Sequence, residues 1–158
     1  MITNTELELK GNQFPNNIVS YKKNIDVLNF RTENDVSLQI TIVRDSVIRF
    51  RYSTTSNFDK DFSYAITKYA STGYNYLEIE ESTVEYIITT QKLICHINKL
   101  DLKVNIYDAK DKTLVSHDEL GFHWEESYEF GGNIVKMSKT SQDGESYYGL
   151  GDKPSHLN

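Results

Sequence analysis

Residues 36–53, "VSLQITIVRDSVIRFRYS", decide the fold. Leu38, Ile40 and Ile42 alternate with Ser37, Gln39 and Thr41; beyond Arg44-Asp45-Ser46, Ile48, Phe50 and Tyr52 alternate with Arg49 and Arg51. A period of two is the signature of a strand, whose successive side chains point to opposite faces. The polar triplet between the two runs reads as a tight turn, because Asp and Ser bond to nearby backbone. The stretch therefore predicts an antiparallel hairpin with one apolar and one wet face.

The same period continues outward. In residues 84–119, "VEYIITTQKLICHINKLDLKVNIYDAKDKTLVSHDE", Leu100, Leu102, Val104 and Ile106 point one way and Asp101, Lys103 and Asn105 the other, with a polar turn at Asp108 to Lys112. Further strands are expected at Asn17 to Lys22, Ile25 to Arg31, His123 to Phe130, Asn133 to Thr140 and Ser146 to Leu150. Gly131-Gly132 and Asp143-Gly144 separate the last three, since glycine supplies the positive φ of tight hairpins. Residues 61–82, "DFSYAITKYASTGYNYLEIEES", read either as one helical turn, with Phe62, Ala65, Ile66 and Tyr69 on a face, or as a strand and a loop. No stretch carries a helical apolar stripe over three turns. Many short strands with frequent turns predict an all-β sandwich or barrel, with Ile48, Phe50, Leu102, Val104 and Ile106 inside.

Composition narrows the partners. A chain of 158 residues suits one domain, 1–158, burying roughly two-thirds of its unfolded surface. Its 17 basic against 23 acidic residues leave a charge of -6, which offers no attraction to nucleic acid or anionic lipid. Eleven tyrosines and seven phenylalanines beside two prolines favour strands. Cys95 is the single cysteine, so it forms no internal disulfide and no multi-thiolate zinc site. The start "MITNTELELKGNQFPNN" lacks a charged then apolar leader pattern, and no run of about 18 apolar residues occurs, so the expectation is a cytoplasmic protein without a membrane partner.

Candidate chemistry is plentiful in type and thin in arrangement. Glycoside hydrolysis needs two carboxylates facing each other across a cleft. Glu78, Glu80, Glu81, Asp118, Glu119, Glu125, Glu126, Glu129, Asp143 and Glu145 fall mostly on the polar side of strands or in turns, where they keep the surface solvated. Asp108 and Asp111 lack the regular spacing of a calcium loop. His96, His117, His123 and His156 show no metal-binding spacing, and His96 and Cys95 point to opposite faces of one strand, which rules out a nucleophile pair. Trp124, Tyr128 and Phe130 share a strand face and form either a sugar-stacking row or the edge of the core. "GLGDK", residues 149–153, lacks the spacing of a phosphate loop.

Glu145-Ser146-Tyr147-Tyr148-Gly149-Leu150-Gly151-Asp152-Lys153, followed by Leu157-Asn158, resembles the "GE-x-aromatic-YGLG-[ED]-K…LN" segment of glycoside hydrolase family 31, the α-glucosidase and α-xylosidase family. "VIRFRYS", "KLICHINKLDLKVNIYDAKDKTL" and "GFHWEE" are similar to its early strands, so the resemblance runs from about Ile18 onward. It implies an antiparallel β-sandwich of galactose-mutarotase-like (supersandwich) type, truncated before its last strands, ahead of a catalytic (β/α)8 barrel absent here. The barrel carries the family's catalytic carboxylates in a retaining mechanism, and nothing in this chain resembles the W-x-D-M-N-E segment of the nucleophile. The resemblance therefore implies no catalytic, substrate-binding or metal residue and no cofactor here, and it gives as partners the barrel and an α-linked oligosaccharide or glycoside bound by the parent enzyme. Tyr147 and Tyr148 are expected on opposite faces of a strand, with Gly149 and Gly151 marking a bend.

Overall fold

The computed structural model describes residues 11–62, 77–129 and 131–146. Among them every regular element is a strand and every pairing is antiparallel. Strands β1 (Ile18–Lys23), β2 (Val27–Thr32), β3 (Ser37–Arg44) and β4 (Val47–Ser53) form one meander. Strands β5 (Glu78–Glu81), β6 (Glu85–Thr89), β7 (Leu93–Asn98), β8 (Val104–Asp108), β9 (Leu114–Ser127) and β10 (Gly132–Lys139) form a second sheet, again with sequence neighbours side by side. The expected sandwich is what the chain forms.

The hairpin of residues 36–53 is β3 and β4, with Leu38 opposite Tyr52, Ile40 opposite Phe50 and Ile42 opposite Ile48. Their shared face meets the second sheet. Leu28, Phe30, Leu38, Ile40 and Ile42 from one side and Tyr86, Ile88, Cys95, Ile97, Val104, Phe122 and Trp124 from the other make one buried cluster, against which Ile48, Phe50 and Ile106 pack. Aromatic rings cross the seam. Tyr52 stacks on Phe122 with centroids 4.6 Å apart, and Tyr86 meets Tyr21 at 4.9 Å and Phe30 at 5.1 Å. Such pairs add about 0.5–1.5 kcal/mol each beyond the area they bury. Hydrogen bonds tie the sheets at their margins, from Ile18 N to Lys99 O at 2.7 Å and from Thr90 Oγ1 to Asp45 O at 2.8 Å.

Three expectations are corrected. Leu100 does not share the inward face of Leu102 and Val104; it is 65% exposed. The alternation is interrupted because residues 99–103 are a turn, in which Leu102 takes φ +58° and donates from its N–H to Asn98 O. Asn98 also accepts from Leu100 N at 2.8 Å, so the turn is closed by its own first residue. Ile25, expected to open a strand, is exposed in the turn before β2. The strand expected from His123 begins instead at Leu114 and runs to Ser127. It stays continuous by bulging: Ser138 pairs with Gly121 and Lys139 with Asp118, so Glu119 and Leu120 are extra and Gly121 absorbs the kink at φ +68°.

The ambiguous residues 61–82 end in strand β5, whereas 63–76 lie outside the described residues. Phe130, residues 147–150 of the expected last strand, and the remainder of the motif through Asn158 lie outside them too.

Burial sets an alkaline limit on stability. Desolvation, with help from the Glu81 carboxylate, pushes the Tyr86 phenol up to about 12, and burial raises Tyr52 and Cys95 further still. These groups are protonated in the fold and deprotonate more readily when unfolded. The tyrosines' contribution is complete below about pH 10, their ordinary value, and that of Cys95 below about pH 8.5, the ordinary thiol value; both decline as pH rises toward 12. Melting temperature is expected to fall steeply across that window, and Tyr86→Phe to flatten part of the fall; an unchanged profile from pH 9 to 12 would contradict it.

Candidate functional site

The outer face of the second sheet gathers the titratable side chains. Register places His96 opposite Asn105 and Asn105 opposite His117, so three strands supply one cross-strand row. His96 Nδ1 lies 3.0 Å from Glu85 Oε2 on β6, and its ring meets Tyr107 edge-on at 5.2 Å. His117 Nδ1 lies 2.7 Å from Asn105 Oδ1. Because Asn105 presents its amide oxygen, His117 Nδ1 is the donor of this bond.

A histidine held by a carboxylate has the parts of a general base. The geometry limits what these parts can do. Glu85 and His96 bond directly to each other instead of standing across a substrate-sized gap, and the two imidazoles are two strands apart, roughly 9–10 Å by strand spacing. Both members of the Glu85–His96 pair are about one-third exposed on an open face, where water competes with any developing charge. The row fits a polar seam better than a reaction centre. Sequence periodicity missed the pairing because Glu85 and His96 sit on different strands, and only register brings them together.

The remaining acids have local duties. Asp118 is the exception to the solvated expectation: it is 2% exposed and accepts from Val104 N at 2.9 Å and Lys139 Nζ at 2.5 Å. Glu81 pairs with Lys99 at 2.6 Å and Glu125 with Lys136 at 3.1 Å. Lys99 holds the Glu81 carboxyl below its usual range, chiefly by hydrogen bonding. Asp108 and Asp111 turn back on their own loop, bonding Lys110 N at 2.7 Å and Thr113 Oγ1 at 2.7 Å, so their oxygens serve the turn. Among the described residues no cluster of three or more His, Cys, Asp or Glu side chains could hold a metal ion.

The aromatic row divides. Trp124 is 5% exposed and stacks beside Phe122, so it belongs to the core, while Tyr128 is 96% exposed in the turn before β10. His123 is buried on the opposite face, where Phe14 stacks on it at 5.3 Å and Gly121 O bonds its Nδ1 at 3.0 Å. Residues 13 and 14 thus cover β9, with Gln13 pairing to the Trp124 backbone. Cys95 faces the core and His96 the outside, as the strand period requires.

The profile of the glycosyl hydrolase 31 N-terminal galactose mutarotase-like domain matches residues 37–158. Among solved structures, a Flavobacterium johnsoniae family 31 dextranase complexed with isomaltotriose is similar over 72% of this chain and 15% of its own, with a TM-score of 0.62 and 20% identity. A cycloalternan-forming enzyme from Listeria monocytogenes, in complex with a pentasaccharide substrate, is similar over 72% of this chain and 10% of its own, with a TM-score of 0.55 and 17% identity. At such identities the likeness shows the fold. A search of curated proteins gives no significant match.

Proposed function

The chain belongs to the glycosyl hydrolase 31 N-terminal galactose mutarotase-like domain family, and from that premise we propose that it is the non-catalytic β-sandwich of a retaining α-glycosidase, packing on a catalytic barrel and shaping the entrance of its pocket. The observation that carries this reading is the disposition of the acids. Among the described residues, the bonded acids engage lysines, arginines, His96, amide or hydroxyl side chains or backbone, and neither the groove over the first sheet nor the one beside the β9–β10 turn is lined by the two carboxylates that glycoside hydrolysis requires.

A second feature fits the docking role. Val135 and Met137 on β10 stand opposite Trp124 and Phe122 and so share the core-side face, yet they are 62% and 44% exposed. Apolar side chains left uncovered beside a core are where another body packs. The parent's ligand, on this reading, is an α-linked oligosaccharide, in keeping with the isomaltotriose and pentasaccharide in the two similar enzymes. The rival, a module gripping glycans through Trp124, loses its anchor because that ring is in the core.

Reading the gene past the codon for Asn158 tests the proposal. An in-frame barrel with two aspartates placed for a retaining mechanism is expected. A stop codon there, or an unrelated domain, would overturn it.

A further inference from the structure

The outer face of the first sheet carries a groove of about 410 Å³, floored by Ser20 and Lys22 of β1, Asn29 and Arg31 of β2 and Ser37 of β3. Its wall is the segment after β4, through Ser56 and Phe58. That wall is clamped down. Arg49 makes two bonds to Asp61, at 2.5 and 2.7 Å, while Arg51 donates to Asp59 O at 2.9 Å and lies 5.1 Å over the Phe58 ring. The floor is oriented too: Gln39 donates to Asn29 Oδ1 at 2.9 Å and accepts from Arg51, so Asn29 keeps its Nδ2 hydrogens for another partner.

The lining is the reverse of the chain as a whole. The protein carries a charge of -6, yet the described residues of this groove include two cations and no Asp or Glu. Asp35, outside the lining, accepts from both Nε and Nη2 of Arg31, so what Arg31 offers a ligand is its remaining Nη edge and Lys22 is the groove's unpaired cation among the described residues. Lys22 makes no hydrogen bond or ion pair with any described residue. A lysine, an arginine edge, an amide donor and hydroxyls beside an aromatic wall match a ligand with one carboxylate and several hydroxyls on a compact ring. The volume is at the small end of the roughly 300–1,000 Å³ usual for ligand sites.

We propose that this groove binds a uronic acid residue, with the carboxylate on Lys22 and Arg31 and the ring hydroxyls on Asn29 and the serines. The inference rests on the groove alone and stands or falls separately from the role of the parent enzyme. An ionised acceptor strengthens each of these hydrogen bonds, which sets a uronate apart from its neutral sugar.

The test titrates the 158-residue chain with D-glucuronate, D-glucose and acetate by NMR, following the amides of β1 and β2. Saturable shifts with glucuronate at millimolar concentrations are expected, with glucose and acetate each at least about tenfold weaker. Lys22→Glu, on an exposed strand position, should weaken glucuronate about tenfold at unchanged melting temperature, and Phe58→Ala should weaken it about threefold. No saturation with glucuronate, equal binding of glucose or acetate, or full affinity in Lys22→Glu would overturn the proposal.

Discussion

Phe30→Ala is expected to lower stability by about 3–5 kcal/mol, the cost of removing a large aromatic side chain from a core that cannot collapse around the gap. Phe30 is essentially fully buried, sits opposite Leu38 and Tyr21 in the sheet, and contacts the Tyr21 and Tyr86 rings at 5.8 and 5.1 Å. It is therefore a joint between the two sheets as well as a member of one. In a domain of this length that loss corresponds to a fall of roughly 6–20 °C in melting temperature. Phe30→Leu keeps most of the volume and should cost clearly less. A Phe30→Ala chain melting like the parent would mean that the sheets do not meet where described.

The second large effect is expected at Asp118. Its carboxylate is out of water, held by the Val104 N–H and by Lys139. Asp118→Ala leaves the Val104 donor buried without a partner and frees Lys139 to solvent, at a cost of about 2–4 kcal/mol. Asp118→Asn keeps an oxygen for Val104 and loses only the charge on Lys139, so its cost should be near half of that. The bulge concentrates the effect. A Cβ on Gly121 would stand 3.3 Å from Asp118 Oδ2 and 3.3 Å from Lys103, in a backbone conformation that side chains avoid, so the carboxylate and the kink are built together. If Asp118→Ala melted normally and Asp118→Asn did not, the carboxylate would have a role other than this one.

The hairpin of residues 36–53 was legible because its two faces differ so sharply that only one register buries Leu38, Ile40 and Ile42 together. Strand ends were legible to within a residue or two wherever a polar turn stood between apolar runs, as at Asp45 and at residues 109–113. Periodicity failed at Leu100 because Leu102, two residues on in the same turn, takes positive φ, which alternation cannot signal. It failed again around β9. There Gly121, Phe122, His123 and Trp124 are all buried, since Phe14 covers the outer face while the first sheet covers the inner. A strand buried on both faces shows no alternation to read. The Glu85–His96 and Asn105–His117 contacts were out of reach for a related reason: each joins two strands, and their partnership is a property of register.

The claim that this sandwich serves a glycosidase without itself performing the chemistry is tested most directly by incubating the purified chain with nitrophenyl α-glucoside and following nitrophenolate release. The rate is expected to equal that of buffer, and to stay there in Glu85→Gln and His96→Asn chains, because Glu85 is bonded to His96 on an open face and nothing in the sequence resembles the family's nucleophile segment. Release above buffer that disappears in either variant, at unchanged melting temperature, would contradict the account and make the outer row of the second sheet an active site.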